Sequence, residues 1–87
     1  MKHVLQKELK DFLQKQIIKT AAEQDLTQDQ VSELLGIDTR SYAYLKAGTY
    51  MCSASTLIVY LARMCPDPLA FIESARQVIS AAEEKIP

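Results

Sequence analysis

Eighty-seven residues, 48% of them hydrophobic and with a net charge of −1, support one domain with an apolar core and exclude a chain held open by charge. Only two glycines and three prolines interrupt it, and no apolar run approaches the ~20 residues needed to span a bilayer. The opening MKHVLQKELK is too polar for a secretory signal, so a cytoplasmic protein with reduced thiols is expected.

The first predicted helix runs from about His3 to Gln24. Leu5, Leu9, Phe12, Leu13 and Ile17 form one stripe, and Ile18, Ala21 and Ala22 continue it. The lysines lie mostly elsewhere and read as a solvated face.

Residues 27 to 48 predict two short helices around a tight turn. Thr27 and Gln30 make the Thr-x-x-Gln form of a capping box. Val31, Leu34 and Leu35 give an apolar face, and Gly36 can stop the helix in the left-handed conformation. Ile37 is the apolar plug of the turn. Asp38 suits the N-cap of the next helix, whose positive end favours its charge. Tyr42 and Leu45 point inward, and Gly48 closes the helix. This is the outline of a helix-turn-helix, a common way to place one helix in the DNA major groove.

Thr49 to Ser53 reads as a loop containing an exposed Cys52. A fourth helix follows from about Ala54 to Met64, capped by Ser53 or Ser55, with Leu57, Ile58, Leu61 and Met64 as its inward face. Cys65-Pro66-Asp67-Pro68 breaks the chain. Asp67 as N-cap and Pro68 as the first helical residue start a fifth helix, which runs to about Glu84. Ile72, Ala75, Ile79, Ala82 and Ile86 step by three and four along it, the spacing of a heptad seam. Leu69, Phe71 and Val78 widen the stripe. It suits packing on its own domain and a self-complementary dimer contact, and it is wide enough for both.

Catalysis has no support in the residues, so a non-enzyme is expected. His3 is the only histidine, and no triad or metal cluster can be built on it. Cys52 and Cys65 lie thirteen residues apart without neighbouring histidines and do not match a zinc pattern. No cofactor or metal is implied.

With its elements placed, the chain resembles the lambda-repressor-like (Cro or Xre type) helix-turn-helix family. The resemblance rests on Thr27-Gln28, Val31, Leu35-Gly36-Ile37, Tyr42, Leu45 and Gly48, then Thr56-Leu57 and Leu61-Ala62. It covers about residues 17 to 65, just over half of a single domain spanning 1–87. It implies an all-α, five-helix domain, here with a long N-terminal helix and a C-terminal amphipathic helix over about 68–85. The implied function is a DNA-binding transcriptional regulator that binds a palindromic operator as a homodimer. Thr39, Arg40, Ala43 and Tyr44 fall at base-reading positions, with Arg40 suited to guanine O6 and N7. Thr27, Gln28, Lys46, Thr49 and Tyr50 fall where the DNA backbone would be touched. For the dimer contact, outside the part that carries the resemblance, the fifth-helix seam is the first candidate and the long first helix the alternative.

The chain also departs from the family. An arginine and a glutamate usually paired there are Ala21 and Lys46 here, a usual aromatic is Leu45, and a usual loop proline is Cys52. Charge is unhelpful as well. Lys2, Lys7, Lys10, Lys15 and Lys19 stand against Glu8, Asp11 and Glu23 in residues 1–24. Over 25–50, Asp25, Asp29, Glu33 and Asp38 outnumber Arg40 and Lys46. Phosphate neutralisation normally supplies much of the affinity for DNA. The alternative is therefore a protein-interaction module on the same scaffold, antitoxin-like or regulator-binding, with little or no DNA binding.

Overall fold

A computed structural model describes residues 2–49 and 52–84, with side chains from Val4 onward. Five helices follow in order: α1 (Lys2–Glu23), α2 (Gln28–Leu35), α3 (Thr39–Ala47), α4 (Ala54–Arg63) and α5 (Pro68–Glu84). No strand occurs among the described residues, and no helix there is long and apolar enough to cross a membrane.

Local chemistry sets the helix ends. The Thr27 hydroxyl accepts from the Gln30 N–H, and the Gln30 side chain accepts from the Thr27 N–H, completing the capping box. Asp38 accepts from the Ser41 N–H, Ser53 from Thr56 N–H and Asp67 from Ala70 N–H, so α3, α4 and α5 each begin on a side-chain cap. Between Ser53 and Ser55, the cap is Ser53. Gly36 and Gly48 end α2 and α3 at φ 73 and 77. Asp25, at φ 55, turns the chain after α1 without a glycine, an aspartate being among the few residues that tolerate this region.

One core draws on every helix. Leu13, Ile17 and Ala21 of α1 meet Val31 and Leu35 of α2, Tyr42 and Leu45 of α3, Tyr60 and Met64 of α4, and Phe71 of α5. Ile37 and Cys52 pack against this cluster from the connecting segments. Phe71 is flanked by Phe12 at 5.2 Å and Tyr60 at 5.8 Å between ring centroids. Gln24, just past α1, donates to the Met64 carbonyl at the end of α4. From there α5 runs back along α1, its most extensive partner.

Helix ends are also tied across the fold. The Arg63 guanidinium donates to the Leu34 carbonyl at 3.0 Å, Gln14 to the Lys46 carbonyl and Gln24 to the Met64 carbonyl. Each takes an acceptor that a helix C-terminus leaves without an intrahelical partner.

Three expectations change. Ile58 is 64% exposed, and Tyr60, fully buried, takes the centre of the inward face of α4. The buried stripe is Thr56, Tyr60 and Met64 with Leu57 and Leu61 half-buried, a rotation that satisfies helical spacing better. Ala22 is exposed at the end of α1, past the last core position at Ala21. Cys52 is half-buried against the core, not an exposed thiol, and burial pushes its pKa up. The fifth-helix seam divides along its length: Ile72 is 48% exposed, Ala75 and Ile79 are half-buried, and Ala82 is 1% exposed within the chain itself. Ile86 lies outside the described residues.

Candidate nucleic-acid interface

Burial of one side of α3 decides what the other side presents. Tyr42 and Leu45 face the core. Thr39, Arg40, Ala43 and Tyr44, offset by one, four and five positions, are therefore left together on the opposite, solvent-facing side, and all four are exposed. The sequence places these base-reading candidates on one face, and the fold keeps that face open. Lys46 is exposed at the C-terminal end of the same helix.

At the N-terminal end, Asp38 is exposed beside this surface. The Ser41 N–H that it accepts lowers its pKa below the ordinary carboxylate range. The Ser41 hydroxyl and the nearby Arg40 charge lower it further. The carboxylate is thus held ionised next to Arg40.

The backbone-contact candidates differ in what they can still offer. Thr27 spends an oxygen lone pair on the Gln30 N–H and keeps its hydroxyl hydrogen for an outside acceptor. Gln28 is exposed at the start of α2, with Asp29 beside it. Thr49 gives both of its donors, the backbone N–H and the hydroxyl, to the Tyr44 carbonyl at 3.0 and 2.9 Å. A phosphate needs donors, and in this arrangement Thr49 spends both of its own on the end of α3. Tyr50 lies outside the described residues.

The electrostatic setting is mixed. Asp25, Asp29, Glu33 and Asp38 are all exposed around α2 and the start of α3. Arg40 and Lys46 are the cations of the α3 surface, while Arg63 is engaged with the Leu34 carbonyl. Among the described residues, no group of three or more His, Cys, Asp or Glu side chains could hold a metal ion.

Sequence reasoning missed Gln14 and Arg63, which hold the ends of α3 and α2. Nothing local marks them, because each acts on a carbonyl about thirty residues away. Tyr60 did leave a signal, since positions 57, 60, 61 and 64 keep helical spacing more closely than a stripe through 58. Compared with known proteins, the chain matches no protein-family model, no curated protein and no solved structure.

Proposed function

We propose that this protein is a helix-turn-helix regulator of the lambda-repressor-like kind, reading double-stranded DNA with the outer face of α3. The observation that carries the reading is the α2–α3 pair. Two capped helices meet at Gly36 and Ile37, Val31, Leu35, Tyr42 and Leu45 are buried, and Thr39, Arg40, Ala43 and Tyr44 are left outward. A helix anchored on one side and polar on the other is what entry into a major groove requires. In this reading Arg40 makes the bidentate contact to guanine and Lys46 approaches phosphate. Thr27 and Gln28 donate to the backbone at the start of α2.

Cations at the α3 surface are few, so one copy binds weakly and two copies on a palindrome bind usefully. The half-sites then lie about one helical turn, ~34 Å, apart. Leu69 and Ile72, exposed on the first turns of α5, supply apolar surface for such a pair.

Fluorescence anisotropy on duplexes drawn from DNA flanking the coding sequence tests the reading, at low and moderate salt. Arg40→Ala should cost ~1–3 kcal/mol and relax preference at one base position, whereas Lys46→Ala should weaken all sequences and reduce the salt slope by about one. Unchanged binding in Arg40→Ala would sink the assignment. The four exposed carboxylates around α2 and α3 favour a second reading, in which this scaffold docks a protein partner instead. Absence of wild-type binding at low salt would shift the weight there.

A further inference from the structure

The last turn of α3 is held by another helix as well as by its own cap. The Gly48 N–H takes the Leu45 carbonyl, and Thr49 takes that of Tyr44. The neighbouring Lys46 carbonyl accepts from Gln14 Nε2 on α1, at 2.5 Å and 32 positions away in the chain. The same carboxamide lies over Gly48. A Cβ there would meet Gln14 Nε2 and Oε1 at 3.2 Å and Cδ at 3.4 Å. At Gly36, which ends α2 with nearly the same φ, a Cβ would meet nothing within 4 Å. Conformation alone accounts for the glycine at 36. At 48 the glycine also makes room for the Gln14 side chain.

We infer that Gln14 is a positioning residue: its carboxamide sets where the C-terminal end of α3 sits against α1, and so how the Arg40 and Tyr44 face is aimed. Its functional half rests on α3 reading DNA. Three features carry the inference. α1 and α3 touch over only a short stretch, so one specific contact weighs heavily there. The carbonyl end of a helix is its negative pole, where an N–H donor is favoured. A neutral amide fills that role without adding a charge beside Lys46, whose ammonium stays outward.

Gln14→Met tests this, because methionine keeps the size and neutrality and removes the donors. Amide hydrogen exchange on the free protein is the first readout. Gly48 and Thr49 should exchange about fivefold faster, as loss of one typical hydrogen bond predicts, while Gly36 and Ile37, the matching amides at the end of α2, keep their rates. Unchanged exchange at Gly48 and Thr49, or equal acceleration at Gly36 and Ile37, overturns the positioning role.

The second readout compares a duplex selected by the wild-type chain from a randomised pool with its scrambled counterpart. Discrimination should fall about fivefold in Gln14→Met, with low-salt binding to the scrambled duplex unchanged. The loss caused by Arg40→Ala should also shrink in the Gln14→Met background, because a misaimed arginine has less to lose. Full discrimination in Gln14→Met overturns the functional half. If the wild-type chain selects no duplex, the DNA reading and that half fall together, and hydrogen exchange still decides whether Gln14 positions α3.

Discussion

Asp38 does two things that pull against each other. As N-cap it accepts from the Ser41 N–H, and its pKa is lowered by that bond. A carboxylate whose folded pKa is depressed contributes stability above its unfolded pKa, and the contribution disappears as pH falls through the folded value. Asparagine caps nearly as well and does not titrate. Thermal melts should therefore place wild type above Asp38→Asn at neutral pH, with the gap closing once the pH drops below the ordinary carboxylate range. A gap independent of pH would remove the linkage. The same charge sits beside Arg40, where DNA phosphates would repel it, so under the proposed function Asp38→Asn should bind duplexes more tightly at low salt. A neighbouring case shows how finely such roles divide. Thr27 and Thr49 are both exposed threonines at helix ends, yet one keeps a hydroxyl hydrogen to give and the other has none left.

At the scale of the element, α4 carries the lesson. It brings Tyr60 into the centre of the core with its hydroxyl 2.9 Å from the Thr20 hydroxyl. Burial raises the Tyr60 pKa, with the Thr20 hydrogen bond opposing that rise. A buried hydroxyl that loses its nearest partner costs more than a pair removed together, even though Tyr60 keeps a longer bond to the Gln16 carbonyl at 3.4 Å. Tyr60→Phe and Thr20→Val should each destabilise by about 1 kcal/mol in urea unfolding, and the double variant should fall clearly short of their sum. Strict additivity would mean that the two hydroxyls do not depend on one another. The cross-helix ties from Gln14, Gln24 and Arg63 belong to this scale too, since each joins one helix to another's last turn.

The whole molecule measures 42 × 26 × 20 Å, and the long axis suits α1, whose 22 residues reach about 33 Å. α5 packs along this helix, and its apolar stripe passes from exposed at Leu69, 82%, and Ile72 to buried at Ala82. Under the proposed function, the exposed first turns of α5 are the part of the seam open to a second copy, because Ala82 is already covered by the chain itself. Ile72→Glu should lower the fraction of dimer in sedimentation equilibrium and leave the melting temperature of the monomer nearly unchanged. It should also weaken binding to a palindrome more than to a single half-site. A variant that dimerises like wild type would move the dimer contact away from Ile72.

Local signals determined much of this protein before any packing was considered. Caps at Thr27, Asp38, Ser53 and Asp67 and stops at Gly36 and Gly48 act through hydrogen bonds and dihedral limits within a few residues, so the sequence displays them directly. The open face of α3 was legible for the same reason: once Tyr42 and Leu45 turn inward, helical periodicity leaves Thr39, Arg40, Ala43 and Tyr44 outside. What only the tertiary structure decided involves partners distant in the chain. The rotation of α4 depends on Thr20 and Phe71 receiving Tyr60, not on the apolar character of Ile58. The burial of Ala82 depends on α5 lying along α1. The part played by Gln14 depends on a carbonyl 32 residues away. Such contacts form where two elements meet, and neither element's own pattern encodes where the other will lie.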